Sequence, residues 1–210
     1  MRYATIVWDW NGTLLDDVSL AISVINKMLS EHGLAKINNA VYTELFEFPV
    51  QKYYENLGFD LTTGNFSELS DRFCGDFEDG LGEAILFPRT KETLAELADL
   101  RHFVLSNTEQ TALDRMLQAF DIGPCFEAAR GLSNNHAAGK VGIGNDLLNE
   151  HQIDRSSAVL IGDTIHDAEV ADALGIDCLL VATGHNSRAR LEALGVPVID
   201  SLQDIHRFIV

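Results

Sequence analysis

The run Val7-Trp8-Asp9-Trp10-Asn11-Gly12-Thr13-Leu14-Leu15-Asp16 sets a carboxylate at the end of an apolar stretch and follows it with Asn-Gly, a pair that favours a tight turn. Residues 3–10 are rich in β-branched and aromatic side chains, the composition of a buried strand. Three later segments repeat the pattern of an apolar run closed by small polar residues: 102–105 before Ser106-Asn107, 158–161 before Gly162-Asp163, and 178–181 before Thr183-Gly184. Between them lie stretches of helical period, 91–100, 109–120 and 168–174. Strand and helix in alternation predict an α/β fold with a doubly wound, Rossmann-like parallel sheet covered by helices on both faces. Ligands of such sheets bind outside the carboxyl ends of the strands, so Asp9, Ser106 and Asp163 are expected to converge.

Residues 14–86 break the alternation. Their periodicity predicts helices at 18–32, 39–45, 50–57 and 67–81 and no clear strand. The first strand has to join a sheet whose other strands come later. The predicted organisation is therefore a core of residues 1–13 and 87–210 with an inserted α-helical cap of residues 14–86.

Hydrophobic residues at 46 % and charged ones at 22 % of 210 residues exclude a largely disordered chain. The net charge of −17 repels nucleic acid, which is not an expected partner. A phosphate ester can still bind where a local cation, a metal ion or a helix N-terminus reverses that field. Cys74, Cys125 and Cys178 are widely spaced, with no Cys-x-x-Cys pair, and read as reduced core residues. No basic-then-apolar leader opens the chain and no apolar run approaches the ~20 residues that span a bilayer, so no membrane partner is expected and the cytoplasm is the expected address.

Taken alone, Asp9 fits an acceptor of turn amides as well as it fits a nucleophile. Gly162-Asp163-Thr164-Ile165-His166-Asp167 places two carboxylates four residues apart, after a strand and at a helix entrance. Such hard oxygen ligands suit Mg²⁺, while helix capping by Asp167 is the competing reading. Ser106 and Asn107 can donate to a phosphate oxygen or cap a helix. Lys140, in Gly139-Lys140-Val141-Gly142, is a catalytic cation or a solvated surface charge.

Together, in this order and with a helical insertion after the first, the four segments resemble the haloacid dehalogenase superfamily over essentially the whole chain. Asp9-x-Asn11-Gly12-Thr13 is similar to its first motif, Ser106 to the second, Lys140 to the third, and Gly162-Asp163 with Asp167 to the fourth. Leu14-Leu15-Asp16-Asp17 and Phe48-Pro49-Val50-Gln51-Lys52-Tyr53-Tyr54 further resemble its phosphoglycolate phosphatase-like members with a helical cap. The resemblance implies a Mg²⁺-dependent phosphatase of a small phosphorylated metabolite, with Asp9 forming an aspartyl-phosphate. It implies Mg²⁺ on the carboxylates of Asp9 and Asp163 and the backbone carbonyl of Asn11, with Asp167 bound directly or through water. It also implies that Thr13, Ser106, Asn107 and Lys140 bind the phosphoryl group and that Ser106 and Lys140 stabilise its charge.

Asn11 departs from that pattern. Most phosphatases of the superfamily have an aspartate there, as general acid for the leaving group and then base for water, and loss of such a group costs about 10²–10⁴ in rate. His166 or His185 are candidates to replace it, with a structural role as the competing reading. Val141 stands where many relatives have proline. Two further readings stay open: a phosphonatase using a cap lysine (Lys27, Lys36 or Lys52), and a phospho-ligand binder with little turnover. Phe46-Glu47-Phe48-Pro49 is a candidate leaving-group contact, against simple core packing, and residues 14–17 and 83–88 are expected hinges.

Overall fold

The computed structural model describes residues 2–134 and 139–209. Strand β1 (Thr5–Trp8) leads through a tight loop into β2 (Leu15–Asp16), which pairs antiparallel with β3 (Ile85–Leu86). Between β2 and β3 run helices α1 (Val18–Glu31), α2 (Asn39–Leu45), α3 (Val50–Asn56) and α4 (Phe66–Gly80). After β3 the chain alternates through α5 (Thr90–Glu96), β4 (Arg101–Glu109), α6 (Gln110–Ala119), β5 (Ala128–Leu132), α7 (Val141–Glu150), β6 (Ala158–Gly162) and α8 (Ile165–Leu174). It closes with β7 (Asp177–Val181), α9 (Arg188–Glu192), β8 (Val198–Ile199) and α10 (His206–Ile209).

The main sheet runs β5-β4-β1-β6-β7-β8, with every pairing parallel, as the alternation predicts. Period-two alternation along its central strands divides their side chains between two cores. Ile6, Trp8, Val104, Val159 and Ile161 join one face with α5, α6 and α10, while Val7, Phe103, Leu105 and Leu160 join the other with α7 and α8. Trp8 and Trp10 are fully buried, and their indole N–H groups donate to His102 Nδ1 (2.9 Å) and Met116 Sδ (3.3 Å). Helices α1–α4 have a separate apolar cluster around Ile25, Met28, Leu29, Tyr42 and Tyr54.

Two expectations fail in detail. The strands β2 and β3 lie at the ends of the stretch read as helical, and two residues are too few to carry a period. Cys125 is exposed and Cys74 and Cys178 only half-buried, so the cysteines are free but not all core residues. Cys125 ends a surface 3₁₀ turn, Gly123–Cys125, where Pro124 breaks any longer element. No helix of the described residues is long and apolar enough to cross a membrane.

Candidate active site

The sheet order puts β1 between β4 and β6, with Trp8 in register with Val104 and Ile161. Asp9 therefore leaves the sheet beside Ser106 and Asp163. The Asp9 N–H donates to the Ile161 carbonyl (2.8 Å), which holds the nucleophile candidate at the strand end. The loop after it closes through Leu14 N–H to Trp10 O (3.0 Å) and Gly12 N–H to Leu15 O (2.9 Å). Gly12 takes φ +72°, and a Cβ there would collide with the Asp163 carboxylate and the His185 ring. That close approach is why the Asn-Gly turn signal matters for the site as well as for the fold.

Lys140 is 1 % exposed, and its Nζ lies 2.5 Å from Asp9 Oδ1 and 2.7 Å from Asp167 Oδ1 while donating to the Leu105 carbonyl at 3.0 Å. Asp9, Asp163 and Asp167 are buried, and each offers a carboxylate oxygen within 4.8 Å of the others. Three carboxylates against one ammonium leave this cluster net negative. An all-oxygen, net-negative, buried donor set fits a divalent cation such as Mg²⁺.

The electrostatics follow from that crowding. Burial, and then the Asp167 charge, push Asp9 well above the usual carboxylate range, with Lys140 pulling the other way. Burial also raises Asp167, but Lys140 and the Thr164 hydroxyl outweigh it and hold that carboxylate low. Of the two acids sharing Lys140, Asp9 is thus the one that takes up a proton. Burial pushes Asp163 up to about 6, against the pull of His185. Burial works against the Lys140 ammonium too, yet Asp167 and Asp9 keep it charged.

Asp167 also does what its competing reading required. Its Oδ2 accepts from the Thr164 N–H (3.0 Å), the Thr164 hydroxyl (2.6 Å) and the Asp163 N–H (3.2 Å), completing a capping box on α8. Its Oδ1 is left facing Lys140. Ser106 is buried and its Oγ accepts the Thr108 N–H (3.1 Å), while the buried Asn107 Oδ1 has no partner among the described residues. Thr13, expected on the phosphoryl group, is fully buried and its hydroxyl donates to Asp163 Oδ1 (2.9 Å). The loop that positions Asp9 turns this side chain under the site, so it does not line the cavity described below.

Asn11 is held at both ends of its amide: Nδ2 donates to Asp17 Oδ2 (2.9 Å) and Oδ1 accepts from the Thr108 hydroxyl (2.7 Å). Asp17 also accepts the Gly12 N–H (2.8 Å) and faces His185 Nε2 at 3.4 Å. His185 N–H donates to Asp163 Oδ2 (2.6 Å), and its Nδ1 bonds the Tyr42 hydroxyl (2.8 Å). Burial opposes charge on this imidazole, but Asp17, Asp163 and Asp9 push it up to about 9. His166 lies against the Phe48 ring, 4.7 Å between centroids. Asp17, Thr108 and Tyr42 were not legible as site residues. Asp17 sits where a helix cap belongs, Thr108 closes the segment of Ser106 and Asn107 without standing out from it, and Tyr42 is in no motif.

A cavity of about 160 Å³ opens above Asp9, between the carboxyl edge of the sheet and helices α1–α4. Asn11, Ser106, Asn107, Lys140 and Asp167 share its floor with Asp9. The helical layer is tied to the sheet beside it: Arg190 Nη1 donates to the Thr43 (2.9 Å) and Phe46 (2.8 Å) carbonyls, and Asn186 Nδ2 to Phe46 (2.9 Å).

Comparison with known proteins agrees with this arrangement. The family model described as haloacid dehalogenase-like hydrolase matches residues 6–181. The sequence is 25 % identical to a phosphoglycolate phosphatase of Caulobacter vibrioides in an alignment covering 98 % of this chain and 88 % of that protein. It is 23 % identical to a phosphoglycolate phosphatase of Synechococcus elongatus, over 90 % and 88 % of the two. A haloacid dehalogenase-like family hydrolase from Streptococcus pneumoniae superposes with a TM-score of 0.85 at 21 % identity, covering 100 % of this chain and 99 % of that one, a likeness of fold.

Proposed function

Since the chain belongs to the haloacid dehalogenase-like hydrolase family, we propose that it is a Mg²⁺-dependent phosphatase that hydrolyses a small phosphomonoester through an aspartyl-phosphate on Asp9. The observation that carries this reading is the buried cluster of Asp9, Lys140, Asp163 and Asp167 under an open cavity. The names of the two curated relatives support the same class of substrate.

In this reading the Asp9 carboxylate attacks phosphorus, the bond to the leaving oxygen breaks, and water cleaves the acyl phosphate. The Asp9 and Asp163 carboxylates and the Asn11 backbone carbonyl would hold the ion, with Asp167 supporting it directly or through water. When bound, it supplies the positive charge that lets two anions meet. Lys140 and the Ser106 hydroxyl donate to phosphoryl oxygens as charge builds, with the Asn107 amide beside them. Thr13 is a positioning residue, holding Asp163 from below. Lys27 and Lys52 pair with Asp76 and Glu47, and neither they nor Lys36 line the cavity, which weighs against a phosphonatase. The test is phosphate release from a panel of small phosphomonoesters and one acyl phosphate, in Mg²⁺ and in EDTA. Absence of Mg²⁺-dependent release from every compound sinks the proposal and favours a binder.

Asn11 cannot relay a proton, so turnover should favour good leaving groups. In Asn11→Asp the new carboxyl meets Asp17, so it must stay protonated to keep the hydrogen bond that Asn11 Nδ2 makes. A protonated acid here should raise kcat on alkyl phosphates by about 10²-fold and change acyl phosphate turnover little. Equal effects on both substrates would count against Asn11 as the missing acid.

Metal-free stability should fall as pH rises from 5 to 9. Asp9 and Asp163 bind protons more tightly folded than unfolded, so what they contribute is fully present only below about pH 4 and is lost as pH rises, for Asp163 through about 6. His185, raised to about 9, adds stability below its unfolded pKa that is lost as pH climbs through 9. Asp167, held low, acts oppositely, but its contribution is lost only in acid. Thermal melts in EDTA read this directly, and Mg²⁺ should flatten the curve because the ion competes with those protons. A metal-free melting temperature that climbs between pH 5 and 8 contradicts this account.

Residues 14–86 act here as a cap whose neck is the β2–β3 pair. Substrate entry then requires the neck and the Arg190 ties to yield. Amide exchange in residues 14–17 and 83–88 is expected to slow when a phosphate analogue binds with Mg²⁺; faster exchange would remove them as hinges.

A further inference from the structure

On its helical side the cavity is lined by Phe46, Phe48, Tyr53, Tyr54, Phe73 and Phe77. Among the described residues that line it, the basic side chains are Lys140, engaged by Asp9 and Asp167 on the floor, and His185, whose Nε2 faces Asp17 and whose Nδ1 bonds the Tyr42 hydroxyl. Asp17, Glu78 and Glu109 line it as well. Of the cations of the helical layer, Lys27 pairs with Asp76, Lys52 with Glu47 and Arg72 with Glu31, and Lys36 lies outside the lining. Glu78 is held by Arg115 through two bonds of 3.0 and 2.9 Å, but the guanidinium is exposed and outside the lining.

A leaving group carrying a carboxylate would give up its water here for ring faces and further acids, while both basic side chains of the described lining are already engaged. An ionised group buried without a partner is among the costliest arrangements in a protein interior. An aromatic leaving group meets the opposite situation, since six rings offer face and edge contacts and no charge is stranded. The Tyr53 hydroxyl is buried in this lining with no partner among the described residues, so one hydrogen bond to the leaving group is available.

We infer that the substrate is a phosphomonoester with an uncharged aromatic leaving group, and that carboxylated phosphoesters such as 2-phosphoglycolate are poor substrates. This rests on the phosphatase reading above, to which it adds the chemical class of the group released. The Phe46 and Phe48 rings, which also pack on His185 and His166, place that group between the helical layer and the floor.

The test is binding, so it does not depend on turnover. Benzylphosphonate, phosphonoacetate and inorganic phosphate are titrated calorimetrically into the full chain with Mg²⁺. Benzylphosphonate is expected to bind about tenfold or more tighter than phosphonoacetate, and tighter than phosphate. If phosphate binds but phosphonoacetate equals or exceeds benzylphosphonate, the aromatic assignment falls and the phosphatase reading stands. If none of the three binds, both fall together. Phe73→Arg, which adds a cation to the lining, should shift the ratio about tenfold toward phosphonoacetate. Phe73→Leu keeps the apolar lining and should preserve the order of preference even if the arginine variant fails to fold; a reversed order in Phe73→Leu overturns the inference.

Discussion

Asp9→Asn is expected to lower phosphate release by about 10⁴-fold or more while leaving the metal-free protein at least as heat-stable as the parent. The two halves of this expectation come from one fact. Asp9 lies in a buried cluster with Asp167 and Asp163 around one ammonium, and burial and those charges raise its carboxyl. An amide of the same shape can still accept from Lys140, so the hydrogen bond at 2.5 Å has a successor, while the excess negative charge falls. Nucleophilicity is lost because an amide oxygen does not form the acyl phosphate. Phosphate release in Mg²⁺ and melting in EDTA check the two halves separately. A variant that is both inactive and markedly unstable would mean that Asp9 serves the fold, and one that stays active would end its role as nucleophile.

Lys140→Met should fail in both respects. Removing the cation takes from the phosphoryl group a donor of the kind worth about 10²–10³ in rate. It also leaves Asp9 and Asp167 facing each other with no ammonium, in a site where Lys140 is 1 % exposed. Breaking a buried pair in this way costs about 3–5 kcal/mol, which for a chain of this size is a fall on the order of 10 °C in melting temperature. Mg²⁺ should restore part of that loss, since the ion replaces the missing positive charge. Adding Asp9→Asn to Lys140→Met should also recover stability, because the two side chains are in contact and their effects do not add. If Lys140→Met melts like the parent in EDTA, the cluster is not the charged device described here.

The core of the fold was legible because its strands are apolar runs closed by small polar residues. The parts that escaped notice lack that signature. Strand β5 lies at the sheet edge and contains Arg130 and Gly131, β8 has two residues, and α7 carries Gly142 and Gly144. The helices between β2 and β3 fell within a residue or so of their predicted bounds, with α1 and α4 long enough, at 14 and 15 residues, to carry an amphipathic period over several turns. Among the candidate site residues, Asp9, Ser106 and Asp163 could be named because each follows an apolar run and Asp167 because it stands at a helix entrance, whereas Lys140 became a candidate only through the family resemblance. Asp17 could not be named, because its place before α1 reads as a helix cap, and Tyr42 could not, because it reaches His185 across the gap between layers.

What the amino-acid order determined by itself was local: which runs are strands, where each stops, and which polar residue follows the stop. Parallel pairing then obliges those residues to gather at one edge, whatever their distance along the chain. Tertiary structure alone decided how the gathered groups divide their work. Asp167 caps α8 with one oxygen and meets Lys140 with the other, and Thr13 turns away from the cavity to hold Asp163. The aromatic lining of the cavity was decided there too, since Phe46, Phe48, Tyr53, Tyr54, Phe73 and Phe77 come from two helices and a loop, and their rings are apolar in any context and face Asp9 only after α1–α4 pack over the sheet. Strand ends are written in short-range pattern, whereas partner choice depends on distances that exist only once the layers have closed.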